Sequence, residues 1–153
     1  MQIQTRPFGP VEIDDTQIVT LTRPMPGFPD HHRFVVLQPD PEVPFQWFQS
    51  VDGEDVCFLI VDPRLFFPDY RLEVKKEELA DLEIESPDEA AVAVVVSLTG
   101  GPEQATANLL APIVFNTRKK RARQLILEGS GYPLRAPLFP RPDEKKKACQ
   151  AAG

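Results

Sequence analysis

Apolar residues along this chain fall in short runs rich in β-branched side chains, and the runs are separated by Pro, Gly and Asp. That rhythm predicts strands joined by turns rather than packed helices. The runs Met1 to Thr5, Val11 to Ile13 and Ile18 to Leu21 come first, with Gly9-Pro10 marking a hairpin turn between the first two. Arg33 to Gln38, Phe45 to Val51 and Val56 to Val61 follow, and Asp52-Gly53 joins the last two as a hairpin. Alternation in Phe45 to Val51 places Phe45, Trp47 and Gln49 on one face and Gln46, Phe48 and Ser50 on the other. Both faces carry an aromatic, so this strand is expected to be covered on both sides, with Trp47 in or beside the core. Further strands are predicted over Ala91 to Leu98, Leu109 to Asn116 and Arg123 to Leu127, the last two joined by a basic hairpin connection, Thr117 to Ala122. Only Val74 to Ile84 has a helical pattern, with Leu79 and Leu82 on one side and charges elsewhere. The expected fold class is therefore all-β, a single antiparallel barrel or sandwich with one short helix.

The punctuation between these runs is unusually stiff. Arg23 to Pro29 holds three prolines and one glycine in seven residues, which excludes helix and strand and predicts an ordered loop. Phe28 in that loop is either a core anchor or a contact for a partner, and the anchor is the more economical reading. In Arg64 to Tyr70 the adjacent Phe66 and Phe67 cannot both face one interior unless the backbone turns between them, so one is expected near the surface. Asp62 and Asp69 flank this segment, where capping or turn formation is their simplest role. In Ala105 to Asn116 a polar residue, Asn108, precedes an apolar run broken by Pro112. Proline cannot donate to a sheet ladder, so Asn108 is expected to satisfy backbone groups where pairing fails. The sequence after Phe139 has too little apolar content to offset the entropy of ordering, and 140–153 is expected to be a polar tail outside a domain spanning 1–139.

Composition narrows the function. No apolar run approaches the ~18 residues of a membrane helix and the start of the chain lacks a signal-peptide layout, so a cytoplasmic protein is expected. Cys57 lies in an apolar run, Cys149 lies in the polar tail, and no disulfide is expected between them. The net charge of −6 conceals a segregation of sign. Residues 40–89 hold fifteen acidic and four basic side chains, a net of −11, and residues 117–147 hold ten basic and three acidic, a net of +7. Such segregation steers encounters with partners, unless the two regions simply neutralise each other.

Catalytic chemistry has little support. The histidines, His31 and His32, are adjacent and diverge in an extended segment, so no metal site is expected. There is no Gly-rich phosphate loop, nucleophile elbow or Cys-His pair, and no cofactor is expected. Glu77-Glu78 and Asp88-Glu89 read as solvated faces rather than as a tuned acid and base. The run Arg118 to Arg123 offers one argument for a small RNA-binding β-barrel, but it lacks interleaved aromatics and belongs to an acidic protein, so a solvated hairpin is favoured. Protein binding remains, and it suits an acidic middle section beside proline-stiffened loops that lose little entropy on docking.

Several motifs carry a resemblance. Phe8-Gly9 after Thr5, Pro26-Gly27-Phe28, Pro44-Phe45-Gln46-Trp47-Phe48-Gln49-Ser50, Asp62-Pro63 leading to Phe67-Pro68-Asp69-Tyr70, Thr106 to Val114 and Tyr132-Pro133-Leu134 resemble the flagellar assembly factor FliW family, in order and at matching separations. The resemblance implies a cytoplasmic β-barrel without catalytic activity that binds flagellin and the RNA-binding translational repressor CsrA, the carbon storage regulator, with no direct nucleic-acid or membrane partner. It also implies that the repressor is displaced from flagellin mRNA until free flagellin sequesters the assembly factor. A monomer is expected. Three positions depart from the pattern: Pro24 stands where Gly is common, Gly53-Glu54-Asp55 lacks a frequent proline, and Ala122 replaces a frequent Gly. Partner contacts are expected at Pro24 and Phe28 and at Asp62, Phe66, Phe67, Asp69 and Tyr70. Asn108, Pro112 and Trp47 are assigned structural roles.

Overall fold

The protein was described from a computed structural model, which covers residues 1–139. Its strands are β1 (Gln2–Thr5), β2 (Gly9–Glu12), β3 (Ile18–Leu21), β4 (Arg33–Leu37), β5 (Gln46–Ser50), β6 (Cys57–Val61), β7 (Ala90–Ser97), β8 (Thr106–Ala107), β9 (Ile113–Asn116), β10 (Arg121–Gln124) and β11 (Ala136–Pro137). Seven of them close a ring in the order β7-β6-β5-β4-β3-β10-β9, with β9 pairing back to β7. The architecture is thus a barrel rather than an open sandwich, and closure leaves its seven strands without a free edge. Six of the seven pairings are antiparallel and β3–β10 is parallel. The hairpin β1–β2 stands apart as a second small sheet, and β8 and β11 extend outward from β7.

Strand periodicity fills the barrel. Val19 and Leu21, Phe34, Phe48, Ile60, Ala93, Ile113, Phe115 and Ala122 form one buried cluster. Phe34 and Phe48 stack with ring centroids 4.4 Å apart, and Phe115 meets Phe48 edge-on at 5.5 Å. Ala122 is fully buried, so the alanine that departs from the family pattern faces the barrel core. Burial of each large side chain here contributes roughly 1.5–3 kcal/mol relative to exposure.

Outward-facing residues are covered by separate elements. Over β3 and β4 the β1–β2 hairpin buries Ile3 and Ile13 against Val35. Thr5 fixes its turn, with Oγ1 donating to the Gly9 carbonyl at 2.8 Å and accepting from the Phe8 N–H at 3.0 Å. Over β7 and β9 the segment Lys76–Leu82 inserts Leu82, which is fully buried beside Val114 and Leu125. Residues 66–74, 105–111 and 127–138 build a third cover, with Tyr70, Leu109, Leu127 and Leu138 against Val94 and Val96.

Several elements differ from the sequence expectation for identifiable reasons. The helix expected over Val74 to Ile84 is a 3₁₀ helix over Lys76–Leu82, ended by Glu83 in the left-handed region (φ 54°). Its two apolar anchors, Leu79 and Leu82, are three apart, a spacing that three residues per turn places on one face. The strand expected from Leu109 starts at Ile113, because Asn108 to Pro112 form a bent connection in which Asn108 Oδ1 accepts from the Ala111 N–H at 3.0 Å. The strand expected from Arg123 is shifted to Arg121–Gln124, with the turn confined to 117–120 and Lys120 taking a positive φ of 56°. Phe66 and Phe67 are both half-buried in the same cover, since a 3₁₀ turn over Pro63–Leu65 reorients the chain before them, and Leu65 is the exposed residue instead. The polar tail expected over 140–153, with Cys149, lies outside the described residues.

Candidate interaction surface

The covers leave part of the outer face of β5 and β6 open: Val61 is buried in the third cover and Leu59 packs against it, whereas Trp47 is half-buried beside Phe8 of the β1–β2 turn. Trp47 and Leu59, side by side across the β5–β6 ladder, are half-buried and form the floor of an open groove of about 420 Å³. One wall is the loop carrying Pro39, Asp40 and Val43, and the other carries Leu98, Pro102 and Phe139. Three wall side chains are exposed although apolar: Val43 at 40 %, Leu98 at 45 % and Phe139 at 51 %. Exposed apolar side chains gathered around one groove make it a candidate interaction surface. Aromatic contacts stiffen both ends. Phe8 meets Trp47 edge-on at 6.0 Å, Phe45 lies 5.7 Å from Phe66, and Phe66 meets Phe139 edge-on at 5.8 Å. Acidic residues stand nearby: Asp40 lines the groove, Glu42 lies in the same loop between Asp40 and Val43, and Glu103 lines an adjoining hollow with Pro102 and Phe139; all three are exposed and none forms an ion pair among the described residues.

The residues singled out in the sequence do not converge on one patch. Pro24 is exposed, and Phe28 is half-buried edge-on to Phe58 at 5.3 Å against the barrel cluster. The stronger anchor of that loop is Met25, buried in the same cluster, which no sequence signal had distinguished from its neighbours. Asp62 caps the 3₁₀ turn after β6, accepting from the Arg64 N–H at 3.0 Å, and Asp69 is exposed. Tyr70 is buried and its hydroxyl donates to the Leu109 carbonyl at 2.6 Å, so burial pushes its pKa upward and withdraws it from any partner. Of the seven assigned contact residues, Phe66 alone touches the groove's aromatic wall. Trp47, assigned to structure, lines the groove itself.

Electrostatics separate two acidic regions. The basic run is engaged intramolecularly: Arg118 pairs with Glu89 at 3.2 Å, Lys119 with Glu85 at 3.6 Å, Arg121 with Glu83 at 2.7 Å and Arg123 with Asp81 at 3.5 Å. Hydrogen bonds from the Glu85 N–H and from Arg118 hold the Glu89 carboxyl below the usual range. Asn116 ties the two segments together. It is buried in β9, its Nδ2 donates to the Leu82 and Glu83 carbonyls at 2.8 and 3.3 Å, and its Oδ1 accepts from the N–H groups of Arg118 and Lys119, each at 3.0 Å. By contrast Asp40, Glu42, Glu54, Asp69 and Glu73 have no ion-pair partner among the described residues. Part of the acidic section is therefore spent on the basic hairpin, and the unspent part includes the rim of the groove.

No group of three or more His, Cys, Asp or Glu side chains able to hold a metal occurs among the described residues. His31 Nδ1 lies 2.7 Å from Ser50 Oγ, and the backbone N–H groups of His32 and Arg33 donate to Asp52, so the histidine pair braces a turn. Cys57 is half-buried and burial pushes its thiol up to about 11. No described helix is long and apolar enough to cross a membrane.

Comparison with known proteins converges on one family. The profile described as "FliW protein" matches residues 2–138. The chain is 41 % identical over 135 residues to a flagellar assembly factor FliW of Syntrophus aciditrophicus, covering 88 % of this chain and 85 % of that protein. It is 34 % identical over 153 residues to a flagellar assembly factor FliW of Thermoanaerobacter pseudethanolicus, covering 99 % and 100 % respectively. A crystal structure of a flagellar assembly factor FliW superimposes with a TM-score of 0.87 at 33 % identity, covering 93 % of this chain and 99 % of that one. All three relatives are named as assembly factors rather than as enzymes.

Proposed function

The chain belongs to the FliW family, and from that premise we propose that it acts in the cytoplasm as a flagellar assembly factor without catalytic activity. It binds newly made flagellin and antagonises the translational repressor CsrA through protein–protein contact, so that flagellin synthesis follows flagellar assembly. The observation behind this reading is the match along nearly the whole barrel, residues 2–138. The unpaired acidic side chains support it as well, because they would attract a basic RNA-binding protein.

Direct RNA binding through residues 118–123 is the weaker reading. Four of the five cations in that run, Arg118, Lys119, Arg121 and Arg123, are within ion-pair distance of a carboxylate of this chain, which leaves little free charge for phosphate. A pull-down offering flagellin and CsrA separately and together tests the function, with retention of each as the expected result and retention of neither by the folded protein as the refuting one. Association with CsrA is expected to slow as salt rises from low to physiological strength, where the Debye length falls to ~8 Å. Flagellin binding, if more apolar, responds less, and equal salt dependence would count against acidic steering.

A further inference from the structure

The groove over β5 and β6 can be assigned an occupant from its chemistry. Its floor and walls are side chains, Phe45, Trp47, Leu59, Leu98 and Phe139 among them, and β5 and β6 are each hydrogen-bonded to a strand on both sides. A ligand lying there finds no free strand edge, so its own N–H and C=O groups would meet apolar surface without partners. An extended peptide bound in this way would lose hydrogen bonds to water without replacing them. A helix avoids that loss, because its backbone groups pair internally and it presents apolar side chains spaced i, i+3, i+4 and i+7. The rim sets the sign of the charges beside that stripe. Asp40 and Glu42 on one side and Glu103 on the other are exposed carboxylates with no ion pair among the described residues.

We propose that this groove is a docking site for an amphipathic α-helix of a partner protein, whose apolar stripe packs on Trp47, Leu59 and Leu98 and whose flanking lysines and arginines face Asp40, Glu42 and Glu103. The assignment rests on reading the chain as a protein-binding assembly factor and adds to it the surface and the kind of segment recognised. Phe8 and Phe66, held edge-on or tilted against Trp47 and Phe45, preform the ends of the site, so little side-chain ordering remains to be done on binding.

Trp47 is the only tryptophan of the chain and stands in the groove, so its emission reports occupancy directly. The experiment titrates the full chain with a capped model helix of about 18 residues carrying a Leu stripe flanked by Lys, and in parallel with the same helix flanked by Glu. The expected result is a saturable blue shift of Trp47 with the Lys-flanked helix, and binding weaker by about tenfold or more for the Glu-flanked helix and for the Leu98→Asp and Asp40→Lys/Glu42→Lys variants. Leu98, Asp40 and Glu42 are exposed, so these variants keep the fold, and circular dichroism checks this. No Trp47 response, or equal affinity for Leu98→Asp, overturns the proposal. A concentration-dependent dimer abolished by Leu98→Asp would assign the groove to a second copy and also overturn it, as would Trp47 shielded from acrylamide in the full chain but unresponsive to peptide, which would point to residues 140–153 as occupant. A pull-down of flagellin and CsrA with the same variants keeps the two readings distinguishable: a wild-type protein that binds the Lys-flanked helix but neither partner refutes the function and leaves the groove assignment standing.

Discussion

Replacing Asn116 by Ala tests how the acidic segment is held over the basic hairpin. Asn116 is 1 % exposed, and its side chain makes four hydrogen bonds, two donated to the carbonyls of Leu82 and Glu83 and two accepted from the N–H groups of Arg118 and Lys119. Alanine removes all four. The Leu82 carbonyl is buried and has no route to water, so its loss is charged at the full desolvation value of ~1–3 kcal/mol, and the more exposed groups add about 1 kcal/mol together because water can replace the side chain there. The expected destabilisation is therefore about 3 kcal/mol, which for a domain of this size lowers Tm by roughly 6–12 °C. Urea and thermal unfolding of Asn116→Ala measure both. Asn116→Asp separates the two halves of the network, since a carboxylate still accepts from Arg118 and Lys119 but faces the two carbonyls with no donor. At pH 7 it is expected to destabilise at least as much as alanine, and lowering the pH toward 4 to protonate the new carboxyl is expected to restore part of the loss. An alanine variant within 0.5 kcal/mol of wild type, a threshold of about the scatter of surface substitutions, would refute the network.

Other expectations follow from single contacts. Tyr70→Phe removes one buried hydrogen bond, to the Leu109 carbonyl, and is expected to cost about 1–2 kcal/mol in urea unfolding; Asn108→Ala removes only the half-buried bond to the Ala111 N–H and is expected to cost about 1 kcal/mol. Burial alone would raise the pKa of Asp52, but hydrogen bonds from the Arg33 side chain and from the Arg33 and His32 N–H groups outweigh it and hold the carboxyl below its usual range. Its contribution to stability is therefore present above the unfolded pKa of ~3.9 and lost as pH falls through the lower folded value, so Asp52→Asn is expected to flatten the acid limb of the stability–pH curve below about pH 4. With its thiol pushed up to about 11, Cys57 is expected in a Cys149→Ser background to react with a thiol reagent at pH 8 on the order of 10²-fold more slowly than a free cysteine, and a rate near that of free cysteine would contradict the burial.

The strands were legible where local pattern decides them. Phe45 to Val51 and Val56 to Val61 read as a hairpin because apolar runs flank Asp52-Gly53, and β5 and β6 form that pair. Closure of the ring was not legible, since the parallel β3–β10 pair joins residues 101 positions apart and the β7–β9 pair joins residues 20 to 26 apart across an intervening loop and β8, and no local signal sets such registers. The 3₁₀ geometry of Lys76–Leu82 follows from packing Leu79 and Leu82 rather than from propensity, which favours an α-helix there. The role of Asn116 is not legible in the sequence, because an asparagine at the end of a predicted strand looks like ordinary turn punctuation and its value depends on the Leu82 and Glu83 carbonyls more than thirty residues away. The groove was not legible either: alternation places Phe45 and Trp47 on one face, but how far the covers extend over that face is a property of the whole fold.

In the proposed function this protein controls a repressor by contact with protein rather than with RNA. A gel shift of the flagellin mRNA leader with CsrA, to which the purified chain and then flagellin are added in turn, tests it most directly. The expected result is that the chain alone leaves RNA unshifted, that it releases RNA from CsrA, and that added flagellin restores the CsrA–RNA band. An RNA shift by the chain alone, or a CsrA–RNA band that survives excess folded protein, would contradict it.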